Sequence, residues 1–170
     1  MGKMKKKAFS LVEIIIVVTI LGILAAIVLP GFQNHAANAK ESNVKSNLTT
    51  IRSQLEIYKL QHGGVPPGYV NGAEAPIATL ELQLTATSSE NGAVSTSKNP
   101  VDPYLYGPYL KKIPENPYNE LSSVAYVSVG TAFSAAADGT SSGWLYKRET
   151  SEFRVNWTAN DSGGVPFYNY

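Results

Sequence analysis

Cysteine is absent from the 170-residue sequence, which excludes disulfide bridges and every metal site built on thiolates. Histidine is nearly absent, since His35 and His62 are the only two, at opposite ends of one predicted helix and without local partners. The sequence also lacks a nucleophile–base motif, a zinc motif and a phosphate-binding loop. We therefore predict a protein that is not an enzyme.

Charge is scarce and unevenly placed. Charged residues make up 16% of the chain and hydrophobic residues 44%, which is typical of a folded protein rather than a disordered one. Four lysines, at positions 3, 5, 6 and 7, supply much of the net charge of +1. Without residues 1–8 the chain is mildly acidic, with 10 basic and 13 acidic residues, so no nucleic-acid contact is predicted.

The longest apolar run extends from Phe9 to Leu29, and Glu13 is the only charged residue in its 21 positions. As a helix this run spans about 30 Å, the thickness of a bilayer core. A carboxylate placed in lipid costs on the order of 3 kcal/mol or more. The lysines that precede the run predict that the N-terminus lies in the cytoplasm.

Two ordinary interpretations of this run leave something unexplained. A cleaved signal peptide usually has an apolar region of about 7–15 residues, which is shorter than this one, although the pairs Ala25-Ala26 and Ala36-Ala37 leave such a cleavage open. A plain signal anchor fits the length but makes Glu13 an accident near the membrane interface.

A third interpretation uses the whole N-terminal segment. The order is a lysine-rich leader ending in Ala8, then Phe9-Ser10-Leu11-Val12-Glu13, then an apolar run closing with Leu29-Pro30-Gly31-Phe32. This order resembles the type IV pilin-like family. The resemblance implies that a prepilin peptidase cuts between Ala8 and Phe9 and that the new amine of Phe9 is methylated. The family usually has glycine before the cut, so Ala8 is a departure.

The resemblance also implies an assembly role for Glu13, which would pair with the Phe9 amine of a neighbouring subunit. The expected partners are further copies of the chain, minor pilin-like subunits, the peptidase and methylase, an inner-membrane assembly platform and, before assembly, membrane lipid. The resemblance further implies that Gly22, Pro30 and Gly31 soften the helix in a filament; the residues alone fit a simple kink at Pro30 equally well.

The second half of the predicted helix is amphipathic. Between Ala36 and His62 one apolar stripe is spaced as on a helix face, and Gly63-Gly64 ends the helix. The stripe consists of Ala37, Val44, Leu48, Ile51, Leu55 and Tyr58. We predict that this stripe packs into the core of the globular domain.

The remaining chain predicts a small sheet. A short helix is expected near Ile77, an exposed loop over 85–99, and strands within 123–129, 143–149 and 152–157, the last two forming a hairpin. Residues 106–119 resemble a proline-rich loop of the major pseudopilins of type II secretion. The predicted fold is therefore α+β, with a long N-terminal helix packed on a small C-terminal antiparallel sheet.

The expected divisions are a leader over 1–8, a transmembrane and assembly helix over 9–30, an amphipathic helix over 31–62 and a globular α+β domain over 63–170. The chain is expected to cross the inner membrane once, with its globular domain in the periplasm.

Three functions stay open at this point. The first is a pseudopilin of a type II secretion system, a filament subunit. The second is a type IV pilus pilin for adhesion, motility or DNA uptake. A membrane-anchored periplasmic enzyme is the least favoured of the three.

Calcium is the one metal that the resemblance raises, because related pseudopilins bind it in a loop of the C-terminal sheet. The candidates here are Asp138 and Asp161, each in a polar turn with a single carboxylate. Calcium usually gathers six to eight oxygen ligands. We therefore favour solvated turns and expect no metal or other cofactor.

Overall fold

The computed structural model describes residues 9–170, with the backbone alone at 29–34. The expected leader, residues 1–8, lies outside this range, as does the residue before the expected cleavage. The chain divides into two compact units between Ala39 and Lys40.

Helix α1 covers Leu11–Gln61 and contributes to both units. Ser10 caps its start, because the Ser10 carbonyl accepts the N–H groups of Glu13 and Ile14 at 3.1 and 3.3 Å. At the other end, Gly64 donates its N–H to the carbonyl of Lys59 at 2.7 Å. The predicted stop at the paired glycines is confirmed, and it is a hydrogen-bonded C-cap.

The apolar stripe of α1 forms one wall of the globular core, as predicted from its spacing. Five of its members are at most 2% exposed, namely Val44, Leu48, Ile51, Leu55 and Tyr58. The sixth prediction, Ala37, is wrong because this residue lies before the globular unit begins and is exposed.

The C-terminal sheet has three strands in the order β3–β4–β5, with β3 at Val124–Tyr126, β4 at Trp144–Lys147 and β5 at Glu152–Val155. The predicted hairpin is confirmed, because β4 and β5 pair antiparallel with Trp144 opposite Val155. The α+β arrangement is also confirmed.

The expectation of a wholly antiparallel sheet needs one correction. Strands β3 and β4 are parallel, with Val124 opposite Trp144. The chain between them passes through the short helix α3, Phe133–Ala136, and re-enters the sheet from the same end. A parallel pair needs such a crossover rather than a tight turn, so the sheet is mixed.

Along the chain, a small hairpin and a helix come between α1 and the sheet. Strands β1, Tyr69–Val70, and β2, Ala73–Glu74, pair antiparallel across the turn Asn71-Gly72, where φ is 51° and 76°. Asn-Gly is the dipeptide that such turns favour, although no hairpin was expected here. The short helix predicted near Ile77 is confirmed as α2, Ile77–Thr85.

The prediction of an exposed loop over 85–99 is wrong for its first part. Residues 86–89 are buried, and Thr87 and Ser88 are fully so. Their N–H groups donate to the carbonyls of Ser97 and Tyr106 at 2.9 and 2.8 Å. Polar residues can be buried here because their hydrogen bonds are satisfied.

Candidate assembly helix and loop site

The apolar half of α1 carries the first candidate site. Residues 11–28 form a helix segment long and apolar enough to cross a membrane, and none of them is buried. Exposure is high all round, from 48% at Val17 to 75% at Leu11. A helix with apolar side chains on every face needs lipid or protein around it.

Glu13 lies in the first turn of α1, next to the positive end of the helix dipole. The hydroxyls of its neighbours are used within the helix: Ser10 Oγ accepts the Val12 N–H at 3.3 Å, and Thr19 donates to the Ile15 carbonyl at 2.7 Å. Within residues 9–170 no ion pair involves Glu13.

The other residues expected to act in processing and assembly fall on or beside this segment. Phe9 precedes α1 and is 77% exposed, while Ala8 lies outside the described residues. The backbone is α-helical through Gly22, Pro30 and Gly31. A Cβ at Gly22 would meet no atom within 4 Å, so this position has no packing of its own. Softening of the helix in a filament stays a prediction.

Asp161, the second calcium candidate, is occupied by other partners. Its Oδ1 accepts the N–H groups of Gly163 and Val165 at 2.9 and 2.7 Å, and its Oδ2 accepts the hydroxyl of Tyr170. The hydrogen bond from Tyr170 lowers the pKa of the Asp161 carboxyl. Lys45 on α1 lies 3.8 Å from Oδ2, so this turn serves to hold the C-terminal segment to α1.

Asp138, the first calcium candidate, lies in a loop over 138–142 that leads into β4. Its Oδ1 accepts the N–H groups of Thr140 and Ser141 at 2.9 and 3.0 Å and the side-chain amide of Asn156 at 2.9 Å. The two backbone donors hold the pKa of this carboxyl well below its usual range. Because Oδ1 already accepts three hydrogen bonds, this oxygen has no lone pair left to bind a cation.

The oxygen ligands available at these two turns do not fit calcium. In the part of the chain that the structure describes, no three acidic, histidine or cysteine side chains come together. Calcium is held by six to eight oxygen ligands, usually with several carboxylates among them. Each turn here offers one carboxylate, and donors already bind Oδ1 of Asp138 and both oxygens of Asp161.

Comparison with known proteins bears on the apolar helix first. The sequence model of the prokaryotic N-terminal methylation motif matches residues 3–29. The type II secretion system core protein G of Vibrio cholerae is 29% identical over 165 residues, which cover 95% of this chain and 99% of that protein. The N-terminal segment thus carries a methylation motif, and most of the chain is similar to core protein G.

The chain is also similar to a second core protein G and, over a shorter stretch, to a fimbrial protein. The type II secretion system core protein G of Klebsiella pneumoniae is 27% identical over 91% of this chain and 96% of that protein. The fimbrial protein EcpB of Eikenella corrodens is 45% identical over 62 residues, or 36% of this chain and 38% of that protein. No solved structure matches the chain. These relatives are named for secretion or fimbriae, and none of the three is named as an enzyme.

Two groups of residues in the globular unit were missed from the sequence. His62, expected to lack partners, contacts Tyr58 and Ser88 through both ring nitrogens. Asn116 and Asn156 are fully buried and bind loops together. In the sequence, Asn156 is a polar residue between two apolar strand positions. A solvent-facing side chain gives the same pattern, so its burial could not be predicted.

Proposed function

We propose that this chain is a structural filament subunit, a pseudopilin of a type II secretion system. The observation that carries the proposal is the membrane-length segment of α1 over residues 11–28. Its apolar side chains are all exposed, and its single charged residue is Glu13. The similarity to core protein G over nearly the whole chain supports secretion as the setting.

Processing would prepare the helix for assembly. The N-terminal lysines hold the unprocessed chain in the inner membrane with its N-terminus in the cytoplasm and the globular unit in the periplasm. Hydrolysis of the bond between Ala8 and Phe9 removes these lysines and leaves an α-amino group on Phe9. Methylation of that amine keeps its positive charge.

Pairing of charges would then drive polymerisation. The Phe9 amine and the Glu13 carboxylate are each costly in an apolar layer, and the cost falls when they are paired. In a continuous helix the two residues would lie about 6 Å apart along the axis. A pair formed between neighbouring subunits relieves both charges and fixes the register of the packed helices. Further copies of the chain and minor pilin-like subunits, assembled at an inner-membrane platform, are the proposed partners.

The variant Glu13→Gln tests the assembly step, because it keeps the shape of the side chain and removes its charge. We expect normal membrane insertion and cleavage but a loss of filaments of tenfold or more, as about 1.4 kcal/mol corresponds to tenfold in an equilibrium constant. Shearing and sedimentation of filaments, with immunoblotting of the membrane fraction, measures both. The matched control Glu13→Asp keeps the charge and should retain more assembly. Normal filament yield from Glu13→Gln would refute the role of Glu13.

Co-expression of Glu13→Gln with the unaltered chain separates pairing between subunits from pairing within one. If the pair joins neighbours, a variant subunit still offers its amine to the Glu13 of an unaltered neighbour and enters mixed filaments. If the pair lies within one chain, the variant carries an unpaired amine in any company and stays excluded. Mass spectrometry of purified mixed filaments gives the ratio.

A type IV pilus pilin is the second candidate function. It is favoured by the 45% identity to a fimbrial protein over 62 residues, although core protein G matches far more of the chain. Electron microscopy of cells at normal expression distinguishes the two. Long surface fibres labelled by an antibody to the globular unit would indicate the pilus, and their absence together with a secretion defect on deletion would indicate the pseudopilin.

A further inference from the structure

We propose that the amide of Asn156 occupies the centre of the 138–142 loop, where a cation would otherwise sit, so that the globular unit folds without calcium. The proposal concerns the loop alone and does not depend on which filament the chain builds. It rests on the difference between the groups that the loop presents and the oxygen ligands that calcium requires.

The first observation is the set of oxygens around one nitrogen. Asn156 Nδ2 lies 2.9 Å from Asp138 Oδ1, 2.9 Å from the Ser142 carbonyl, 3.1 Å from Ser142 Oγ and 3.4 Å from Ser141 Oγ. These oxygens come from a carboxylate, a carbonyl and two hydroxyls, which are the groups that usually bind a hard cation. Here they converge on an N–H donor group instead.

The second observation is that the opposite end of the same amide is also satisfied. Asn156 Oδ1 accepts the N–H groups of Asp138 and Gly139 at 2.8 and 2.9 Å. The side chain is fully buried, so its two ends cannot exchange with water. One amide thus closes the loop from both sides without bringing a charge inside.

A second asparagine, Asn119, binds two carbonyls of the same loop. Asn119 Nδ2 donates to the carbonyls of Gly139 and Ser142 at 3.0 and 2.9 Å. Gly139 has a φ of 73°, and a Cβ there would come within 3.0 Å of the Trp157 ring, so the backbone is held close to that indole. The inward carbonyls of the loop are therefore paired with amide donors.

A cation at this centre would meet the positive ends of N–H dipoles. It would have to displace the Asn156 amide, and the site would then offer a single carboxylate, that of Asp138. Calcium ligands lie at 2.3–2.6 Å, shorter than the contacts that the amide makes here. The loop is therefore built around hydrogen-bond donors.

The test compares thermal unfolding of the full chain in detergent micelles with excess calcium chloride and with excess EGTA at matched ionic strength. Tryptophan fluorescence follows the transition, since Trp157 packs on the loop at Gly139 and Trp144 begins β4. The unaltered chain is expected to unfold at the same midpoint in both buffers and to bind no calcium in equilibrium dialysis. A midpoint raised by calcium, or stoichiometric calcium binding, would overturn the proposal.

The variant Asn156→Asp gives the converse prediction. It sets a second carboxylate oxygen beside Asp138 and removes the donor, so the midpoint in EGTA should fall. Calcium should then raise it by about 3 °C or more, since shifts of this size follow from modest stabilisation in a chain of this length. A folded variant that ignores calcium would refute the placement of the amide at a cation position.

The double variant Asp138→Asn with Asn156→Asp is the matched control, because it again leaves one carboxylate in the loop. Its midpoint should not respond to calcium. If Asn156→Asp does not fold in either buffer, dialysis and unfolding of the unaltered chain still decide, since calcium binding there is incompatible with the proposal.

Discussion

The imidazole ring of His62 lies flat on the phenol ring of Tyr58, with the ring centroids 3.7 Å apart and the planes 5° apart. His62 Nδ1 lies 2.8 Å from the Tyr58 carbonyl, which can only accept, so Nδ1 carries the proton and donates. Nε2 lies 3.1 Å from Ser88 Oγ and accepts from that hydroxyl in the neutral ring. Both ring nitrogens of neutral His62 are thus satisfied where α1 ends.

We expect the stability of the globular unit to fall as the pH falls below about 6.5. Burial lowers the pKa of His62 from its ordinary value of 6.5. Below 6.5 the unfolded chain takes up a proton that the folded chain does not, so unfolding is favoured. The stability that neutral His62 contributes is complete above pH 6.5. It decreases as the pH falls from 6.5 to the lower pKa of the folded state. Urea unfolding of the full chain in micelles across this range measures it.

The variant His62→Gln should abolish that part of the pH dependence, because glutamine does not titrate. His35→Gln is the matched control, since His35 is exposed and its replacement leaves the buried ring in place. An unchanged pH profile in His62→Gln would contradict the assignment.

The close approach of the segment before β3 to the start of β4 can be tested at Gly143. A Cβ at this position would overlap the carbonyl oxygen of Leu121, a backbone atom that cannot rotate away. We expect Gly143→Ala to lower the free energy of unfolding by about 3 kcal/mol or more. The matched control is Gly163→Ala, whose Cβ would lie 3.4 Å from the Asp161 carboxylate, and it should stay within about 0.5 kcal/mol. Equal unfolding midpoints for the two variants would contradict this packing.

The features predicted well from the sequence are those fixed by local spacing. Leu48, Ile51 and Leu55 follow the period of a helix, so their burial could be predicted before any partner was known. The hairpin of β4 and β5 is likewise local, because only a short turn separates the strands. The apolar run with Glu13 needs no tertiary contact to be recognised.

The features that were missed depend on partners distant in sequence. The parallel pairing of Val124 with Trp144 is set by a crossover whose direction no residue pattern records. Burial of Ser88 depends on hydrogen bonds to Tyr106 and His62, both well removed along the chain. Asn156 has the pattern of a solvent-facing strand residue and is buried only because the loop at 138–142 folds over it.

Asn116 provides a test of the proline-rich loop. This residue is fully buried, donates to the Gly143 carbonyl at 3.0 Å and accepts the Tyr118 N–H at 3.0 Å. In Asn116→Asp an oxygen would face that carbonyl, and we expect a loss of about 3 kcal/mol of unfolding free energy at neutral pH. The loss should shrink as the pH falls, because a protonated carboxyl regains a donor.

The exposed residue Asn99 provides the control for that experiment. Asn99→Asp makes the same chemical change at the surface and should cost no more than about 0.5 kcal/mol. Chemical unfolding followed by tryptophan fluorescence reports both variants, since the Trp144 indole donates to the Pro114 carbonyl of the same loop. If the two variants are equally stable, the loop is not held by Asn116.

Processing at Phe9 is the step on which the proposed function depends, and the residue before the cut can be tested directly. Glycine is the usual residue there in the prepilin family, and Ala8 adds one methyl group beside the bond to be hydrolysed. We expect Ala8→Gly to be cleaved faster than the unaltered chain and Ala8→Leu to be cleaved more slowly than either. Pulse-labelling with the cognate peptidase, followed by intact mass measurement, gives both the rate and the site. The mature mass should correspond to a chain that begins with N-methylated Phe9. A different first residue would refute cleavage at this bond, and a rate that does not change with the size of the side chain at position 8 would contradict the expected effect of Ala8.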